Sequence, residues 1–298
     1  MIAVPPVEVT DSVLVSTTAP DEGAWSVATT YSAGATCSRN HIVWTSLQDA
    51  NLGNTPESSP AWWEDSGPSN QWAMFDSSVA TVTSNGGDGS PLVVVLDPEK
   101  RITSVVMIGL VGARVRLQIE NAPGGDVIED ITNTLVTSDG TYWGWCFEPF
   151  RQEKRAVWTG LKSSPLMRLT LTIDPLGDDA ACGLCLFGRE FTLGVATYGF
   201  STPIKNRGRY YLDKLGNPKR VERGHSINMS GTVQSDTSTY NRSMDFLAEY
   251  IGEPMAWVLA PGLGDYRAAT IVGEYQSATP AFAGPTMTTW SMDISGYR

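Results

Sequence analysis

Punctuation constrains this chain more than any single motif. Short segments rich in Val, Ile, Leu and Thr (PLVVVLD, ITSVVMIGLV, ARVRLQIE, LMRLTLTID, CGLCLFG, MAWVLA, AATIVGEY and TTWSMDISG) are separated by NGGDGSP, NAPGGD, SDGT and PLGDD. Apolar or alternating runs of this length read as strands, and clusters of Gly, Pro, Asn and Asp read as turns. Many short strands between such turns fold as sandwiches or small barrels. One segment breaks the pattern. SDTSTYNRSMDFLAEYIGEP offers N-cap candidates at Asp236, Ser238 and Thr239 and a stop at Gly252 and Pro254. Tyr240, Met244, Leu247 and Ile251, spaced by four, three and four, share a helix face. The spacing predicts one amphipathic helix between the strand HSINMSGTV and the strands MAWVLA and AATIVGEY, a β-α-β unit with further strands.

Composition sets the organisation. A chain of 298 residues has room for two or three modest domains, each with its own core. Residues 1–20 read as an extended segment in which Pro5 and Pro6 limit ladder bonding. Residues 21–70 form a small β module rich in aromatics, 71–198 a dense β region, and 199–298 an α+β domain with the single helix. The expected fold is therefore mainly β.

The net charge of −11 argues against wrapping nucleic acid or an anionic membrane, because phosphate contacts need clustered Lys and Arg. The one basic stretch, Lys205 to Arg223, is interleaved with Gly and Pro. It reads as a solvated hairpin, YYLDKLGNPKRVERG, turning at Leu215 to Pro218. No segment approaches the ~20 apolar residues of a membrane span. The N-terminus carries early acids and no basic region, so no signal peptide is expected and the chain is expected to be made in a cytoplasm.

Little points to catalysis or cofactors. Cys182 and Cys185 form CGLC, but small and apolar neighbours make a buried strand, not a redox helix start. Cys37, Cys146, His41 and His225 lack metal-ligand spacing. Asp88, Asp178 and Asp179 in two turns do not make the six-oxygen cage of calcium. Glu148, Glu153 and Glu190 are candidate carboxylates for a glycosidase, yet none sits in a motif. Cys37 lies near His41 in sequence, a weak signal for a catalytic pair. No GxSxG, HExxH, P-loop or dinucleotide-binding glycine pattern is present. No enzymatic activity, cofactor or metal is expected.

The aromatics carry the remaining information. Trp25, Tyr31, Gly34, Trp44, Asn54, Pro56, Trp62 and Trp63 follow one another in AWSVATTYSAGATCSRNHIVWTSLQDANLGNTPESSPAWW. Flat rings stack on the C–H face of a pyranose, but a module this small also needs its rings simply to fold. Trp62 and Trp63 are adjacent and, if extended, point to opposite faces, so one can be core while the other is exposed. The order resembles the small chitin-binding carbohydrate-binding modules of families five and twelve. That resemblance implies glycan contacts at Trp62, Trp63, Trp44 and Tyr31. A second cluster, GPSNQWAMFD, holds Trp72, Met74, Phe75 and Asp76. Its rings read as a seam packed under a sandwich, with Asp76 capping a turn.

Across nearly the whole chain, GP-x-N-x-WAMFD, ACG-x-C-x-x-G followed by LG-x-x-x-YG, and the closing strand WSMDISGYR resemble a group of tailed-bacteriophage virion proteins. The middle region is similar to jelly-rolls of the galactose-binding or discoidin kind. The resemblance implies a structural part of the tail, baseplate or fibre-attachment region, located in the virion. Its expected partners are other tail proteins and further copies of itself, with host-surface polysaccharide as the alternative. Nucleic acid and membrane insertion are not expected. Strand–helix–strand units with such an arm build intersubunit sheets in tail structures, which implies assembly roles for Tyr210, Tyr211, Trp257 and Trp290.

Overall fold

The computed structural model describes residues 1–137, 141–147, 151–214, 216–221, 225–261 and 269–297. The fold is mainly β, as the punctuation predicts, and its larger strands stack in layers. The outer layer is a five-stranded sheet ordered Val127–Thr134, Arg114–Glu120, Arg168–Asp174, Leu92–Leu96, Leu14–Thr17. Alternation decides its faces. Leu92, Val94, Leu96, Val115, Leu117, Ile119, Leu169, Leu171 and Ile173 point inward. Outward-facing charges pair across strands, Arg114 with Asp174 at 2.8 Å and Arg116 with Asp130 at 2.5 Å.

Facing it is a three-stranded sheet, Arg155–Trp158, Ser104–Ile108 and Leu184–Gly188. Val105, Met107, Ala156, Trp158, Cys185 and Phe187 complete the sandwich core. The other face of this sheet is also covered. Val106, Leu184 and Leu186 pack on Ile2, Val4, Ala256, Val258 and Val272 of a third, seven-stranded sheet. Coverage on both sides explains why CGLCLFG is apolar throughout and why Leu184–Gly188 is wholly buried. Gly188 is required there, because a Cβ would collide with the Pro5 carbonyl.

The seven-stranded sheet is antiparallel throughout, ordered Phe191–Thr192, Ile2–Val4, Met255–Val258, Thr270–Phe282, Met287–Gly296, Met229–Asp236, Val195–Ala196. The expected helix, Tyr240–Glu249, covers its far face. It joins two strands set apart in the sheet, not a parallel pair. Asp236 caps the 3-10 turn ahead of it, accepting the Ser238 N–H at 2.7 Å. The Ser238 hydroxyl and, after it, this N–H hold the Asp236 carboxyl below its usual pKa. The buried helix face is Tyr240, Ser243, Phe246, Leu247 and Tyr250. Met244 and Ile251, expected on it, point to solvent, because Phe246 and Tyr250 bring larger apolar surface to the sheet.

The first twenty residues do more than lead in. Ile2–Val4 is an inner strand of the seven-stranded sheet, and Leu14–Thr17 is an edge strand of the five-stranded one. Likewise Phe191–Thr192 and Val195–Ala196, within the stretch expected to close the sandwich, pair in the seven-stranded sheet. TYWGWCFEPF was expected as a strand of the sandwich. Tyr142–Phe147 is instead a short helix, and residues 148–150, with the candidate Glu148, lie outside the described residues. No helix among the described residues is long and apolar enough to cross a membrane.

Candidate functional site

The aromatic module is built from a three-stranded sheet, Thr36–Arg39, Ile42–Ser46 and Trp63–Pro68, beside the pair Thr30–Tyr31 and Asn51–Leu52. Its hairpin turns at Asn40 and His41, both at positive φ (50° and 66°), which suits a tight two-residue connection. Tyr31, Cys37 and Trp63 form the module's core. The Tyr31 and Trp63 rings meet edge to face at 5.0 Å, and the Trp63 indole donates to the Asn54 carbonyl at 2.9 Å. These two candidate glycan contacts are therefore structural. Trp44 and Trp62 are half-buried, so the adjacent pair divides as the extended-chain argument requires. Trp25 is also half-buried and lies under the Arg39 guanidinium at 4.5 Å.

The WAMFD cluster joins this module to the sandwich. Met74 is fully buried in the sandwich core and Phe75 packs against it. Trp72 stacks on His41 at 3.6 Å, and the His41 Nε2 pairs with Asp11 at 2.8 Å. Asn70 anchors the connection, donating to the carbonyls of Pro20 and Ser84 and accepting the Ser84 N–H. Asp76 caps the following turn through the Ser78 N–H and the Thr81 hydroxyl. The cluster is thus a seam.

The four expected assembly aromatics separate into two pairs. Tyr210 and Tyr211 are exposed on a two-stranded arm, Arg209–Leu212 with Pro218–Val221, in which every residue faces solvent. Leu215, at its expected turn, lies outside the described residues. Trp257 and Trp290 are fully buried between the seven-stranded sheet and the helix. Their indoles donate to the Gly273 carbonyl (2.9 Å) and the Ser235 hydroxyl (3.0 Å). These two cannot form an assembly surface, because alternation turns them toward the core.

Most of the candidate reactive groups are buried or hydrogen-bonded within the fold. Burial pushes the Cys37 thiol up to about 11, with Glu57 adding to the shift, and the Cys182 thiol up to about 12. Cys185 is raised well above the ordinary thiol range, first by burial and then by Cys182. All three are buried thiols, whereas Cys146 is exposed. Glu190 accepts the Ser104 hydroxyl at 2.6 Å and the Gly160 N–H at 3.1 Å. The loops carrying Asp88, Asp178 and Asp179 do come together, joined by the buried amide of Asn85. Its nitrogen donates to the carbonyls of Ser90 and Asp178, and its oxygen accepts the N–H groups of Gly87 and Ala180. Among the described residues, no three His, Cys, Asp or Glu side chains are grouped to hold a metal.

Sequence reasoning missed one exposed ring cluster. On the short helix, Trp143 meets Tyr142 edge to face at 5.7 Å and stacks on Phe147 at 5.3 Å, and all three rings are solvent-exposed. High β-propensity of aromatics concealed it.

No protein-family model and no curated protein matches the chain. Among solved structures it is similar to a chain in the crystal structure of reduced XRCC1 bound to the DNA polymerase beta catalytic domain, at 15% identity and a TM-score of 0.24. That likeness covers 34% of this chain and 76% of the other. It is also similar to CBM32-1, a carbohydrate-binding module from a family 31 glycoside hydrolase of Clostridium perfringens, at 12% identity and a TM-score of 0.27. Here 40% of this chain and 83% of the other are covered. At these scores both are weak structural neighbours, and neither carries an argument about a site.

Proposed function

We propose that this chain is a non-catalytic structural component of a bacteriophage virion, in the tail, baseplate or fibre-attachment region. It works by assembling with other tail proteins and with further copies of itself. The observation that carries this reading is the arm Arg209–Leu212 and Pro218–Val221, exposed at every residue. A two-stranded hairpin is marginal in water by itself. Tyr210, Tyr211 and Leu212 add nothing to their own chain's core and gain burial only against another chain. The resemblance of GP-x-N-x-WAMFD and ACG-x-C-x-x-G to tail proteins supports the placement in the virion. The test is antibody labelling of purified particles viewed by electron microscopy. Label at the tail or its appendages is expected. Unlabelled particles whose other tail proteins do label would overturn the placement.

A second reading, glycan binding by the N-terminal module, is favoured by the half-buried Trp44 and Trp62, which each leave part of a ring accessible. Under that reading an added oligosaccharide changes Trp fluorescence and Trp62→Ala removes the change.

A further inference from the structure

The sandwich and the C-terminal region border two neighbouring open clefts, of about 500 and 750 Å³, that share Tyr297 as a wall. Their lining runs against the composition of the chain. Acidic residues outnumber basic ones by 32 to 21, yet among the described residues no Asp or Glu lines either cleft. Instead Lys154 and Arg155 enter from the sandwich, Arg207 and Arg209 from the base of the arm, and His225 from the returning strand. Two of the guanidinium groups are held in place. Arg155 donates to the Thr270 carbonyl at 3.3 Å, and Arg207 donates to the Ser226 hydroxyl at 3.0 Å. The neighbouring carboxylate of Glu274 is engaged by the Tyr297 hydroxyl.

The rest of the lining indicates the ligand class. Ser77, Ser78, Ser226 and Ser295 supply hydroxyls that both donate and accept. Val79, Ile108, Ile227 and Val272 form an apolar wall. The strands behind that wall are already paired. Ile108 pairs with Arg155 and Leu184, Thr270–Val272 with Ala256–Val258, and His225–Ile227 with Ile204–Asn206. Each of these strands is thus engaged on at least one side, and the side chains of the lining set the chemistry of recognition. Cations, hydroxyls and an apolar wall together match a sugar ring that carries anionic groups.

We propose that this cleft binds an anionic oligosaccharide, with its carboxylate or sulfate groups on Lys154, Arg155, Arg207 and Arg209 and a ring face on the apolar wall. The site uses the inner base of the arm, not Tyr210 or Tyr211, and stands independently of the assembly reading.

Titration calorimetry of the full chain tests it, with tetragalacturonate as the carboxylate probe and a heparin tetrasaccharide as the sulfate probe. Maltotetraose serves as the neutral control and hexaglutamate as the acidic-peptide control. At least one anionic glycan binds and the two controls do not. Arg207→Gln and, separately, Lys154→Gln each weaken binding about 10-fold, the loss of one charge-assisted contact. Lys214→Gln with Lys219→Gln, outside the cleft, leaves it unchanged, and circular dichroism shows every variant folded. Failure of both anionic glycans to bind would overturn the proposal. So would an equal loss in the outer-arm variant, or hexaglutamate binding as tightly as the glycans, which would assign the cleft to an acidic protein partner.

Discussion

Two strands of similar length show what this chain spends its sequence on. Leu184–Gly188 is buried at every residue, and Arg209–Leu212 is exposed at every residue. Both are hydrogen-bonded to a neighbour. The difference lies in what covers their faces. Leu184–Gly188 is packed by the sandwich on one side and by the seven-stranded sheet on the other. No sheet covers either face of Arg209–Leu212, and all four of its residues stay exposed. Backbone pairing contributes little net stability by itself, so a strand is held mainly by the apolar surface it buries. The first strand is stabilised within its own chain, and the second is available to another.

The comparison can be broken at either end. The largest effect is expected at Phe187, whose side chain fills the sandwich core. Phe187→Ala should cost about 3–5 kcal/mol in urea unfolding, the usual loss for emptying such a site. A loss below 1 kcal/mol would show that the layered packing is wrong. Next is Asn85, whose buried amide ties two loops of the sandwich. Asn85→Ala leaves backbone groups unsatisfied and should cost about 1–3 kcal/mol by the same measurement.

A smaller effect depends on pH. The Asp236 carboxyl titrates below its ordinary value because its charged form accepts hydrogen bonds from Ser238. Its capping contribution is therefore present above the unfolded-state pKa and lost as pH falls through the lower folded value. Proton shifts of Ser238 followed by NMR should move with that low value, and Asp236→Asn should flatten the titration. The smallest effect is expected on the arm. Tyr210→Ala and Tyr211→Ala should leave stability of the isolated chain within about 0.5 kcal/mol, as exposed positions do. The same variants should reduce incorporation into particles, scored by immunoblot of purified virions.

Strand identity was legible because alternation is local. Arg114–Glu120 and Arg168–Asp174 announce both their faces in the residues themselves. The unbroken apolar run of Leu184–Gly188 likewise signalled burial, although not the two sheets that cause it. Partners were not legible. Ile2–Val4 looks like a leading segment, and only the folded chain puts it between Phe191–Thr192 and Met255–Val258. The aromatics failed for the same reason. Trp290 and Tyr210 each lie on a strand, and the sequence does not say which strand has a sheet face beneath it. At Trp62 and Trp63 the adjacency itself carried the information, because neighbours on an extended chain must diverge. The helix was found by its period, but its face was set by ring size, which a spacing count ignores.

Hydrogen–deuterium exchange, read by mass spectrometry on the isolated chain and on purified particles, tests the central claim most directly. Amides of residues 184–188 should exchange slowly in both samples. Amides of residues 209–212 and 218–221 should exchange fast in the isolated chain and become protected in particles. Equally fast exchange of the arm in both would contradict its role as an assembly element.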